Sequence, residues 1–320
     1  MARDRRTSQP GDTFWEQLLR LFRAGSPEFV EFVRGVPDAK GLAVFAETWY
    51  TDSRIEARRL LNLYLDRPLN SPRHEPLVKR IFKFADNAGD DATMARFLVA
   101  LDRTIRRKRI TRQQWNYRTR DWDQIPAVVN PPDTELRRDD NFITYPDFQK
   151  NREKYTAGKF LFSVPTRNYL RRRAWRYFRK LGRQSPERYI PAISVALKLY
   201  TDADVPDGLG LLDNWGLVHL LFHHSPTLDS RPAGWRIAEG GSLAKLQPDP
   251  MFRKLWLKSP EPIFALLTGA KCRPVRQWAV QMLRRHFPER LKQLTLDELL
   301  DWLASPHAEL NELALEMLEK

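Results

Sequence analysis

Apolar residues recur at helical spacing along most of the chain. Phe14, Leu18, Leu19 and Phe22 lie three or four apart, and Phe29, Phe32 and Val33 make a second short turn before Pro37 and Gly41 interrupt. Residues 42–109 read as helix throughout. Ile55, Leu60, Leu61, Leu63 and Tyr64 supply one face, which Pro68 closes. Residues 74–85 (Leu77, Val78, Ile81, Phe82) and 92–109 (Met94, Phe97, Leu98, Leu101, Ile105) predict an antiparallel helix pair around the turn at Asn87 and Gly89. The pattern then changes. Between 110 and 165, Pro126, Pro131, Pro132 and Pro146 exclude a long helix. Trp115, Tyr117, Trp122, Phe142, Tyr145, Phe148 and Tyr155 nevertheless make the stretch too aromatic for a plain linker. It is expected to be a long ordered excursion, with a short hairpin around 160–164. Helical patterning resumes at 166, with a buried helix over 187–201, a turn at 202–207 and an almost wholly apolar helix over 209–224. A loop bearing Pro226, Pro232, Gly240, Gly241, Pro248 and Pro250 follows, and helical hairpins return from Met251.

The segment from Thr166 to Gly182 carries the most information. At about 100° per residue, Leu170, Ala174, Tyr177, Phe178 and Leu181 share one arc, while Arg172, Arg176, Arg179, Lys180 and Arg183 fall opposite. Thr166 reads as its N-cap and Gly182 as the residue past its C-terminus. An apolar face and a basic face thus lie on one helix.

An internal repeat runs through the C-terminal part. Pro274-Val-Arg-Gln-Trp-Ala-Val-Gln-Met-Leu-Arg-Arg aligns with Glu309-Leu-Asn-Glu-Leu-Ala-Leu-Glu-Met-Leu-Glu-Lys, which sets Ala279 on Ala314 at a period of about 35. A shorter apolar helix precedes each, with Pro274 and Pro306 at the junctions, and Arg173-Ala-Trp-Arg-Tyr-Phe fits the same frame through Ala174. Two-helix units that cannot bury their faces alone must stack, with Ala where helices approach closely. In these features the chain resembles the HEAT/armadillo superfamily. More narrowly, the stretch from Arg73 through Leu77, Ile81 and Ala85, together with Tyr169 to Leu181, is similar to long, uncharacterised bacterial HEAT-repeat proteins. The resemblance implies an all-α fold: a right-handed HEAT/ARM-like solenoid of stacked hairpins interrupted by a long irregular excursion at about 110–165. The expected segments are an N-terminal part with short helices (1–40), hairpins (41–109), the excursion (110–165) and HEAT-like repeats (166–320). The apolar face of Leu313, Met317 and Leu318 suggests further repeats beyond Lys320, or a partner that covers this end.

Charge is distributed unevenly. The chain has 54 Lys and Arg against 40 Asp and Glu, and residues 101–200 alone carry 24 against 10. The other two parts are nearly balanced, so the basic excess sits in the middle third and attracts phosphate or acidic partners. The single Cys272 excludes an internal disulfide or a Cys-based metal site and fits a reducing compartment. The first residues lack a signal sequence, and no apolar run would span a membrane. A cytoplasmic protein without a membrane partner is the expectation.

Motifs for catalysis are sparse. No phosphate loop, nucleophile elbow or dinucleotide fingerprint is present, and no cofactor is expected. His219 and His223 lie one helical turn apart, a spacing that could serve a metal. They are flanked by Leu217, Val218, Leu220, Leu221 and Phe222, which favours a core role, so no metal site is assigned. Residues 202–208 depart from a calcium loop, with Pro206 at the fifth position. Asp213 and Trp215 match in residue type the catalytic Asp and stacking Trp of HEAT-like DNA glycosylases. No extended motif supports that reading, so no catalytic residue is assigned. The leading expectation is a non-enzymatic scaffold for protein–protein interaction. Nucleic-acid binding through a basic face is the alternative, and glycosylase chemistry a distant third. For either of the first two, the partner-binding candidates are Arg172, Arg173, Arg176, Arg179, Lys180 and Arg183, with Arg106, Arg107 and Arg109.

Overall fold

The computed structural model describes residues 14–36, 38–67, 69, 71, 73–104, 108–129, 164–231 and 234–319. The described residues are mostly helical, with two short antiparallel hairpins, consistent with an all-α class. No helix among them is long and apolar enough to cross a membrane. The chain divides into two compact units, the first comprising residues 1–84 and 134–161, the second 85–133 and 162–320.

In the first unit, α1 (Phe14–Arg23), α2 (Glu28–Arg34), α3 (Ala39–Thr51), α4 (Ile55–Asp66) and most of α5 (Glu75–Ala88) enclose an aromatic core. Phe22, Phe29, Phe45, Trp49 and Tyr64 are all buried, and the Phe29 ring meets Trp49 edge-on at 4.9 Å. Asp38 caps α3 by accepting hydrogen bonds from the Lys40 and Gly41 amides. Tyr64 Oη lies 2.8 Å from Nδ1 of the buried His74, and burial drives that imidazole down to about 4.

In the second unit, α6 (Asp91–Thr104) packs against α7 (Val164–Gln184), α8 (Pro186–Leu199) and α10 (Trp215–Phe222). The helix expected to reach residue 109 ends at Thr104. There Arg103 pairs with Asp204 at 2.9 Å and also donates to the Leu199 carbonyl. The expected excursion is regular at its start, where β1 (Lys108–Asn116) pairs with β2 (Asp121–Val129) and sets Trp115 opposite Trp122. Of the hairpin expected around 160–164, residues 160–163 lie outside the described set, and Val164 begins α7.

The apolar arc of α7 is as the periodicity predicts: Leu170, Ala174, Phe178 and Leu181 are buried. Its ends are not. The helix starts before Thr166 and runs past Gly182 to Gln184, and the Phe252 ring packs so closely on Gly182 that a Cβ would lie 2.4 Å from it. The glycine thus serves close packing inside the helix. The single helix expected over 209–224 is two, α9 (Gly208–Asp213) and α10, which meet at the fully buried Asn214. Asn214 Nδ2 donates to the carbonyls of Asp204 and Gly210 and fixes the break. The loop expected at 225–250 contains a second hairpin, β3 (Leu228–Arg231) and β4 (Gly234–Ile237).

After the short α11 (Arg253–Trp256), α12 (Glu261–Gly269) pairs with α13 (Arg273–His286). Beyond the single turn α14 (Pro288–Leu291), α15 (Leu296–Leu303) pairs with α16 (Ala308–Leu318). These are the two units of the sequence repeat, and Ala174, Ala279 and Ala314 are all fully buried. Helix α13 also packs on α16, where buried Arg276 donates to Glu309 at 2.9 Å and to the Ala270 carbonyl. On α16, Leu313 is buried whereas Leu315 and Leu318 are exposed.

Candidate functional site

Helix α7 carries eight Lys and Arg and no carboxylate, and tertiary structure divides the cations into distinct groups. Arg167 and Arg171 are buried, a placement the wheel did not single out. Arg173 is held internally, donating to Asp86 at 2.7–2.8 Å and to Tyr169 Oη at 3.4 Å. Lys180 lies on the same flank, beside residues 86–89. Arg172 and Arg176 are exposed and Arg179 half-buried; among the described residues none of the three has an ion-pair partner. Arg183 is exposed one turn further on. Arg106 and Arg107 lie outside the described residues; Arg109 falls in β1, and its side chain is likewise outside them.

Arg172, Arg176 and Arg179 converge on a recess of about 550 Å³, lined also by Tyr169, Trp175, Trp215, His219, His223 and Ser230. No carboxylate is among these residues. Tyr169 offers its ring at the rim, 45% exposed, whereas Trp215 and His219 in the floor are only 6% and 4% exposed. The floor is a packed aromatic cluster. Trp175 stacks on His219 at 4.6 Å and 14°, Trp215 meets the same imidazole edge-on at 4.1 Å, and Trp235 abuts it at 4.6 Å. Trp235 comes from β4 and is tied down by donating its indole N–H to the Trp215 carbonyl at 3.2 Å. Arg171 places its guanidinium 5.2 Å over the Trp215 ring, a cation–π contact that adds positive potential below the floor.

The two histidines, one turn apart on α10, bond to each other, Nδ1 to Nδ1 at 2.7 Å. Burial, reinforced by the neighbouring imidazole and by Arg171 and Arg179, pushes His219 down to about 2. Burial, with His224 and Arg179, lowers His223 to about 4. Both are therefore neutral near pH 7 and share one proton between their Nδ1 atoms. Nε2 of His219, Nε1 of Trp215 and Nε of Arg179 are buried without a hydrogen-bond partner among the described residues. No group of three His, Cys, Asp or Glu among the described residues could hold a metal ion. Asp213 is buried at the end of α9 and does not line the recess.

Asp102 holds the floor in place from α6. Its carboxylate is fully buried and accepts from the backbone N–H groups of Gly216 (2.9 Å) and Leu217 (3.2 Å), and from Tyr200 Oη (2.7 Å). It thereby caps the helix that carries Trp215, His219 and His223. A second recess, of about 410 Å³, sets Arg273 and Arg284 against Glu309 and Glu312. Its charges offset one another, whereas no carboxylate is among the described residues that line the first recess. The first recess can receive an anion at its rim and a flat ring beside Tyr169. In comparison with known proteins, no family model, no curated protein and no solved structure matches the chain.

Proposed function

We propose that the protein binds nucleic acid, with backbone phosphates on Arg172, Arg176, Arg179 and Arg183. One observation carries this reading: three guanidiniums without an ion-pair partner among the described residues meet at the mouth of an aromatic recess, and none of its described lining residues is a carboxylate. Guanidinium forks match phosphate oxygens, and their charge attracts a polyanion from solution. A scaffold reading, in which the same face holds an acidic peptide, accounts for the arginines but leaves Tyr169 and the aromatic floor without a role. Two paired hairpins with buried alanines at matching positions also support a HEAT-like stack as the frame that presents α7.

The test is binding of 20-residue single-stranded and duplex oligonucleotides, titrated with salt. Neutralising about four phosphates gives a slope of log K against log salt of roughly −3.6 on duplex and −2.8 on single strands. Changing Arg172, Arg176 and Arg183 to Glu should abolish binding while leaving the helical circular dichroism unchanged. Retained affinity in that variant, or no binding at about 50 mM salt, overturns the reading. Capture of poly-glutamate instead of oligonucleotide favours the scaffold.

A further inference from the structure

The recess that receives these phosphates has a depth and chemistry that the phosphates alone do not use. We infer that it takes one unpaired nucleobase, so that the preferred ligand is a single strand and not a duplex; this rests on the nucleic-acid reading above.

The argument begins at the floor. Trp215 and His219 are more than nine-tenths buried, yet Trp215 Nε1 and His219 Nε2 have no hydrogen-bond partner among the described residues. A buried polar group left without a partner is costly, and such groups mark where a ligand completes the structure. Both groups belong to side chains that line the recess. Trp215 Nε1 can only donate. His219 Nε2 can do either, because a proton on its own Nδ1 leaves Nε2 an acceptor, whereas a proton on His223 Nδ1 makes Nε2 a donor. The floor therefore offers a fixed donor and an adaptable group, which suits the mixed edge of any nucleobase. A purely apolar ring would satisfy neither, and a bare phosphate, which can only accept, would use the donors alone and not the acceptor form of His219 Nε2.

The rim supplies the remainder. The half-exposed Tyr169 ring gives a face for stacking, and Arg172 and Arg176 stand close enough to line the same recess, where they can take the phosphate of the nucleotide. A volume of about 550 Å³ accommodates a nucleotide. Bases within a duplex are stacked and paired, so their flat faces cannot reach Tyr169 and their edges cannot reach the floor. A strand with free bases can do both. Because the floor adapts its donor pattern, preference among the four bases should be weak.

The experiment compares a 12-residue single strand, the same sequence as duplex, free adenosine and uridine monophosphates, and ribose 5-phosphate, each against the full chain. The single strand should bind at least tenfold more tightly than the duplex at equal salt. The monophosphates should compete with the strand at concentrations where ribose 5-phosphate does not. Tyr169→Ala removes an exposed ring, so folding is retained, and should weaken the single strand about tenfold while leaving the duplex unchanged. His219→Phe keeps the ring stacked on Trp175 but removes the polar edge, and should lower monophosphate competition. If strand and duplex bind equally and Tyr169→Ala alters neither, the base-binding inference fails while the phosphate-binding reading stands. If monophosphates bind but no strand does, the recess is a free-nucleotide site and the nucleic-acid reading falls alone. If no arm binds, both fall.

Discussion

Asp102 is the residue on which the geometry of the recess depends most. Desolvation pushes its carboxyl up to about 6, against the opposing charge of Arg171 and the hydrogen bonds from Gly216, Tyr200 and Leu217. Two of these donors are the first free N–H groups of α10, so removing the carboxylate strips three buried donors of their acceptor at once. Asp102→Ala should cost about 3 kcal/mol or more. Asp102→Asn keeps one carbonyl acceptor and should cost less. Urea midpoints at constant m-value check the order, and an Asn variant as unstable as Ala would show that charge, not acceptance, is what the site requires. None of this is legible in the sequence, where Asp102 follows an apolar run and looks like a surface residue at a helix end. The partners that bury it lie about a hundred residues on, and no local pattern announces them. The same holds for Arg167 and Arg171, whose burial depends on what α7 packs against and not on their place in a basic run.

Elements were easier to read than their ends and junctions. Periodicity located α1 to α6 and the C-terminal hairpins, because an apolar stripe is a property of each helix by itself. It could not locate the break at Asn214, which depends on side-chain bonds to Asp204 and Gly210 carbonyls, nor β1–β2, whose polar and aromatic residues show little alternation. The recess was half visible. Arg172, Arg176 and Arg179 share one face of the helical wheel, whereas nothing in the sequence connects that face with His219, His223 and Trp215. Their meeting with Trp175 and Trp235 joins α7, α10 and β4, and only the fold joins them. The closeness of α6 and α10 gives a test at this scale. A Cβ on Gly216 would stand 2.8 Å from Leu98 Cδ1 and 2.9 Å from its Cγ, with Asp102 Oδ2 at 3.1 Å. Intrinsic propensity alone favours Ala over Gly in a helix by about 1 kcal/mol. Overpacking should reverse that sign, so Gly216→Ala is expected to destabilise by about 1–3 kcal/mol. A stabilised variant in thermal or urea unfolding would mean that the two helices separate at little cost.

For the whole molecule, the +14 formal charge matters less than its concentration in residues 101–200, where α7 adds eight cations and no anion. A fold that gathers cations around neutral histidines should be sensitive to acid, and the direction can be worked out. His219 and His223 are depressed in the folded second unit to about 2 and about 4 from an ordinary 6.5. Below pH 6.5 the unfolded chain takes up protons that the folded one refuses, so their contribution to stability is full above 6.5 and declines as pH falls. Asp102 acts oppositely. Its value is raised from 3.8 to about 6, so its contribution is full below 3.8 and is lost as pH rises through 6. Near pH 5 the unfolded chain therefore holds about two protons on these groups against about one held by the fold. The net slope is a loss on the order of 1 kcal/mol per pH unit on acidification. Replacing both histidines with Phe and Gln should reverse the sign of that slope, leaving the Asp102 contribution alone, and in Asp102→Asn it should steepen. A bound polyanion should weaken the loss, since negative charge beside Arg179 and His223 favours the imidazolium that burial and Arg179 disfavour. Urea unfolding at pH 7, 6 and 5, with and without a single-stranded oligonucleotide, measures both effects. A midpoint that rises on acidification without the oligonucleotide would mean that Asp102, not the histidine pair, dominates the proton balance of the unit.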